Sequence, residues 1–193
     1  MNKLVLAVAL LPAAAFAQTP QQGVPLQVRR GFFTETSIGV FFTLGGRHGY
    51  SNAQTYLQLG VGYDLSENVE LAANFGLGSN AQNCFSEPCE GPLAFPDNFT
   101  VSFLDANAAY LFKLAERFYL APKLALGYTF LDPPPVADAS GPVSGGPNFG
   151  GGLGLEYATN MDHFSIGVDG LARWIVGPNI PTLAFFGRVK YTF

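Results

Sequence analysis

Ten ionic side chains carry the chemistry of this sequence: Glu35, Asp64, Glu70, Asp105, Lys123, Glu156, Asp169, Arg173, Arg188 and Lys190. Each falls in a stretch that alternates large apolar residues with small or polar ones, and within each stretch the ions keep to the small or polar parity. Successive side chains on a strand point to opposite faces, so a shared parity means a shared face. Acids and bases gathered in one confined space could relay protons, pass an ion or hold a ligand. They could equally pair with one another, because an unpaired buried charge is costly. Pairing is the simpler expectation, since stability alone demands it.

Other reactive residues are few. Cys84 and Cys89 lie close together in NCFSEPCEG, where Pro88 and Gly91 indicate a loop. In an exported chain, such a pair reads as a disulfide. No histidine lies nearby to make it a metal site. The chain has two histidines, His48 and His163. No phosphate-cradling glycine loop, zinc motif or nucleotide signature is present. No catalytic residue, metal or cofactor is therefore expected.

Eight segments must position the ions. They run over residues 31–44, 55–65, 69–78, 99–112, 118–130, 149–158, 164–175 and 182–193. In the second, Leu57, Leu59, Val61, Tyr63 and Leu65 alternate with Gln58, Gly60, Gly62 and Asp64. The eighth sets Leu183, Phe185, Val189, Tyr191 and Phe193 against Arg188, Lys190 and Thr192. Strands of about ten residues with one apolar and one polar face suit a transmembrane barrel with an even strand number. An Arg or Lys turned to lipid near the midplane would cost about 2–4 kcal/mol, which explains the single parity. A soluble barrel or sandwich would show the same alternation with the charged face outside. Pro122 falls on the apolar parity of the fifth segment and lacks a ladder donor, so a bulge or other irregularity is expected there.

The N-terminus separates these readings. Lys3 precedes an apolar run over residues 4–11, and Ala15-Phe16-Ala17 follows, which is the order of a secretory signal peptide over residues 1–17. Residues 18–30 then form a short periplasmic lead-in, and residues 31–193 the barrel. Charged residues make up 12% of the chain and apolar residues 48%, yet no later run is long enough for a membrane helix. A closed sheet is the remaining way for such a chain to cross a bilayer. The net charge of −4, without a Lys/Arg run, excludes nucleic acid as a partner. Connections at 66–68, 113–117 and 159–163 are short. Those at 45–54, 79–98 and 131–148 are long, and 177–181 is intermediate. Short turns inside and long loops outside are the habit of outer-membrane barrels. Pro133-Pro134-Pro135 should make the third long loop extended and mobile. Tyr63, Phe112, Phe118, Tyr128, Trp174 and Tyr191 near strand ends fit an interfacial aromatic belt.

The fold class expected is therefore all-β, a transmembrane up-and-down antiparallel β-barrel of eight strands. Over residues 31–193 the chain resembles the small eight-stranded outer-membrane proteins of Gram-negative bacteria. Its ending, Tyr191-Thr192-Phe193, resembles the signal such proteins show to the barrel-assembly machinery. Here Tyr191 and Phe193 supply the aromatics, while Arg188 stands where a glycine is usual. RRGFFTETSIGVFFTLGG and YSNAQTYLQLGVGYDLSENVEL, within residues 29–71, are similar to CglE-type outer-membrane proteins of myxobacteria, which implies a gliding-motility component with protein partners in the envelope. His163-Phe164-Ser165 resembles the His-x-Ser of outer-membrane lipid A deacylases, but the strand order puts it at a periplasmic turn, the wrong leaflet. The leading expectation is a non-enzymatic structural or interaction protein of the envelope, in contact with outer-membrane lipids. A small-solute or ion conduit and a lipid A-modifying enzyme are the alternatives.

Overall fold

A computed structural model of the chain describes residues 30–44, 54–81, 98–135, 137–138, 141–161 and 163–193. The expected signal peptide, nearly all of the lead-in, His48 and the Cys84–Cys89 pair lie outside the described residues. Eight long strands form the wall: β1 Phe32–Thr43, β2 Gln54–Asp64, β3 Val69–Ala81, β4 Asn98–Tyr110, β5 Phe118–Asp132, β6 Gly145–Ala158, β7 Phe164–Ile175 and β8 Ile180–Thr192. Each pairs antiparallel with the next, and β8 closes on β1 from Phe33↔Thr192 to Thr43↔Thr182. The expected eight-stranded up-and-down barrel is the fold observed.

Register fixes its shape. Paired positions run from Phe33 to Gly62, Ala72, Asn107, Ala125, Gly150, Arg173 and Thr182, and then return to β1 at Thr43. The strands of the closed wall must therefore be steeply inclined, by about 40° for a barrel of this size. Closure removes both sheet edges, so the ladder satisfies the backbone within hydrocarbon.

Period two governs both faces. Ile38, Leu124, Leu126 and Val168 on the outside are 61–67% exposed, a degree of exposure that is stable only against hydrocarbon. Apart from Asp132 at a strand tip, no outward position of the eight strands carries a charge. The short-turn end is ringed by outward aromatics in contact: Phe32 with Phe193 at 5.6 Å, Phe118 with Tyr157 at 4.8 Å, and Phe164 with Tyr191 at 4.9 Å between ring centroids. This is the interfacial belt.

Pro122 brings the expected irregularity, as a gap and not as a bulge: β5 keeps its register with β6 through Pro122↔Leu153. On its other side the ladder from β4 stops at Ala109↔Lys123 and resumes in the same register at Phe112↔Leu120. The missing donor leaves a gap without inserting a residue. β6 begins at Gly145 rather than at 149, although GGPN has the composition of a turn. Its residues pair with β5 through Thr129↔Gly146 and Phe130↔Gly145, so the neighbouring strand extends it. The third long loop is partly folded, since Ala137–Asp138 pairs with Gly141–Pro142.

Candidate functional site

Among the described residues, the interior is where chemistry is concentrated, and it divides into two layers. Nearer the short turns, all inward positions of β8 from Arg188 on are polar or ionic. Arg188 lies at the centre. Its Nε donates to Asp169 Oδ2 at 2.8 Å, its Nη2 to Glu156 Oε2 at 2.9 Å, and its Nη1 lies 3.5 Å from Glu35 Oε2. Lys190, one step closer to the turns, donates to Glu70 and reaches Asp64 Oδ1 at 3.3 Å and Glu156 Oε1 at 3.8 Å. Lys123 joins from β5, 2.8 Å from Asp169 Oδ1. Glu156 thus links Arg188 to Lys190, and Asp169 links Arg188 to Lys123. Eight ionic residues from seven strands form one lattice. Arg30, just before β1, caps it at 3.7 Å from Glu70, with its guanidinium 5.4 Å from the Tyr119 ring centroid.

The remaining two ions lie higher. Arg173 Nη2 is 2.9 Å from Asp105 Oδ2 and donates to Tyr56 Oη at 3.2 Å. Asn148 donates to Asp105 Oδ1 and Thr129 Oγ1, each at 3.0 Å. The Arg173 guanidinium also lies 4.7 Å from the Phe103 ring centroid, where cation–π attraction replaces part of its lost hydration. All ten expected ions therefore face inward and pair, nine of them buried and Lys123 half-buried. Ser37 Oγ, the amide of Asn74, and Arg173 Nε and Nη1 have no protein partner and are buried.

Above Arg173, toward the long loops, the interior is mainly apolar, with Thr43 and Thr182 as buried polar residues. Phe41 stacks on Tyr56 at 5.7 Å and meets Phe103 edge-on at 5.4 Å, while Tyr56 lies 5.5 Å from Phe186. Phe99, Val101, Ala125, Leu131, Leu171, Ile175, Ile180 and Ala184 complete this cluster, each at most 3% exposed. Sequence reading missed this layer. The signal lay in β4, where the polar parity switches: Phe99, Val101 and Phe103 face in while Thr100 and Ser102 face out.

His163 and Ser165 do not form a nucleophile–base pair. Ser165 faces the lumen and is buried, with its hydroxyl bonded to Glu156. His163 lies outside the ladder at the short-turn end, where Nδ1 is 2.6 Å from the Thr192 carbonyl and the ring stacks on Tyr191 at 5.3 Å. A carbonyl can only accept, so Nδ1 carries the proton. Tyr191 pairs with Thr34, and Phe193 N donates to the Phe32 carbonyl at 2.9 Å, so the expected assembly signal lies on the closing seam. Among the described residues, no cluster of His, Cys, Asp and Glu suited to a metal occurs.

No protein-family model and no curated protein matches the chain. Solved structures do. Neisserial surface protein A (NspA) is 15% identical, over 84% of this chain and 97% of that one, with a TM-score of 0.60. Ail, the attachment invasion locus protein of Yersinia pestis, is 12% identical over 86% and 100%, with a TM-score of 0.51. The N-terminal β-barrel domain of Pseudomonas aeruginosa OprF is 13% identical over 84% and 100%, with a TM-score of 0.50. These likenesses are of fold. Taken with the hydrocarbon-facing wall, they identify an outer-membrane β-barrel.

Proposed function

We propose that this chain is a sealed, non-enzymatic outer-membrane barrel that acts as a scaffold, presenting its long loops to a partner outside the cell and its short turns to the periplasm. The observation that carries this reading is the double filling of the lumen. An ionic lattice closes one half and packed aromatics the other, and the residues of both are buried. Eight strands leave an interior just wide enough for side chains to fill, and here they fill it. The interior therefore serves stability, which leaves the ends and the outer wall for recognition.

The resemblance of residues 29–71 to CglE-type proteins directs the search for a partner toward a gliding machinery. Within that stretch Phe32–Thr43 and Gln54–Asp64 build β1 and β2, and the connection between them, residues 45–53, is one of the loops the test below replaces. Tyr191 and Phe193, at the closing seam, are the residues offered to the barrel-assembly machinery.

The test is a pull-down of the full-length protein from native outer membranes, with residues 82–97 or 45–53 replaced by Gly/Ser spacers of equal length. A defined partner should be recovered with the native chain and lost with one of the replacements. Recovery of the same partner with both loops replaced contradicts recognition by these two loops. Planar bilayers separate the conduit alternative, since the native barrel should give no steps of current. For the enzymatic alternative, lipid A should have an unchanged mass spectrum whether His163→Ala and Ser165→Ala are present or absent.

A further inference from the structure

Side chains tie the three short turns into one rim. Asn68, in the first turn, donates from Nδ2 to the Leu111 carbonyl at 2.8 Å, and Leu111 N donates to the Asn68 carbonyl at 2.7 Å. Arg117, in the second, donates from Nη1 to the carbonyl oxygens of Ala158 and Thr159, at 3.4 and 2.6 Å. His163, in the third, donates to the Thr192 carbonyl. Each turn is thus clamped by one of its own side chains to the next piece of chain around the rim. A surface already held in one shape pays little ordering entropy when a partner binds it.

The mouth inside this rim gathers positive charge. Tyr119 faces the lumen near the end of β5 and is buried. Lys113 pairs with Tyr119 across the ladder, and cross-strand partners share a face. Arg117 stands two residues before Tyr119, on the same parity. Arg30 comes from the far side of the barrel, since β1 and β5 lie opposite each other in the closed wall, and its guanidinium is 5.4 Å from the Tyr119 ring centroid. Three cations therefore converge on one tyrosine. The acids around them do not cancel this charge. Glu70, 3.7 Å from Arg30, is already bonded to Lys190, and Asp64 is held by Lys190 and by the Gly31 N–H. Glu67 and Glu116, in the first two turns, are exposed, and Glu116 has the outward parity. Among the described residues, Lys113 has no partner and Arg117 no carboxylate partner. The carbonyls that hold Arg117 are neutral, so they fix the guanidinium without compensating its charge.

We infer that this mouth is the docking site of an acidic peptide segment presented from the periplasm. The inference rests on the scaffold reading and names the chemistry of the partner at the short-turn end. Carboxylate side chains match what the mouth offers. A guanidinium recognises a carboxylate by its planar fork, and an ammonium by its point charge. Arg30 and Arg117 supply the forks and Lys113 the point charge. A phospholipid headgroup fits less well, because lipid lies against the outside of the wall whereas these cations share the lumen face of Tyr119. The site is open to water, so binding there weakens as salt rises.

Fluorescence anisotropy tests it, with the full-length barrel in phosphatidylcholine nanodiscs and a fluorescein-labelled hexaglutamate peptide at low salt. The native chain should bind this peptide and ignore labelled hexalysine. Lys113→Glu changes an exposed side chain without a partner, so heat-modifiable migration on a gel should persist while binding weakens at least tenfold. Arg30→Gln should weaken binding severalfold. Glu67→Gln with Glu116→Gln should leave it unchanged or tighter. Replacing residues 45–53 and 82–97 together should leave peptide binding intact, so a failure of the outer loops to recruit a partner and a failure of this site are read separately. Absence of binding to the native chain overturns the proposal, as does equal binding by Lys113→Glu. Loss of binding on replacing the two outer loops also overturns it, because the peptide would then sit at the other end. Displacement of the peptide by an equal concentration of glycerol phosphate would assign the mouth to a phosphate headgroup and reject the acidic segment.

Discussion

The two halves of the lumen solve one problem by opposite means. Toward the short turns the wall is apolar outside and ionic inside. Toward the long loops on β2 to β4, the pattern inverts: Thr55, Ser79, Thr100 and Ser102 face out, while Tyr56, Phe99, Val101 and Phe103 face in. That part is patterned like a soluble barrel. The inversion marks where the wall leaves hydrocarbon, since the outside must match its solvent at each height. Arg173 stands at the boundary, bonded to Asp105 among the polar groups and lying against Phe103 among the aromatics.

The halves should fail differently, and the sharpest contrast comes from Arg188. Arg188→Met leaves Glu35, Glu156 and Asp169 without their shared cation. It should destabilise the barrel by about 3–5 kcal/mol, the usual penalty for a stranded buried charge, in urea unfolding from lipid vesicles. Neutralising Glu156 and Asp169 as well should recover a large part of that loss. No recovery would mean that Arg188 acts by packing alone. Phe103→Ala removes volume from the other half and should cost about 3 kcal/mol. A compensating change of charge should not rescue it, which distinguishes the halves. Lys123→Gln is the mildest variant, because Asp169 keeps Arg188 and the lysine is half-buried. A loss of about 1 kcal/mol is expected in the same assay.

Much of this was legible in the sequence. Within the membrane, period two has a single meaning, because charge toward lipid is forbidden. The inward face of all ten ions and the strand order follow from that constraint. The pairings among them did not, since partners such as Arg188 and Glu35 meet through closure of the first strand on the last. The aromatic layer was illegible for a local reason. Phe41-Phe42 and Phe185-Phe186 put a phenylalanine on both faces, where alternation carries no information. In β4 the alternation changes sign partway, which reads as noise unless the solvent outside is allowed to change. The start of β6 was hidden because glycine and proline mark turns in isolation, whereas a paired neighbour holds them extended.

The central claim is that each half of the lumen is sufficient to close it. Single-channel recording in planar bilayers tests this directly with four proteins. They are the native chain, Phe41→Ala with Phe103→Ala, Arg188→Ala with Glu156→Ala and Asp169→Ala, and the combination of all five changes. The account predicts silence from the first three and steps of current from the last alone. Current through the native chain, or through either partial variant, would contradict it.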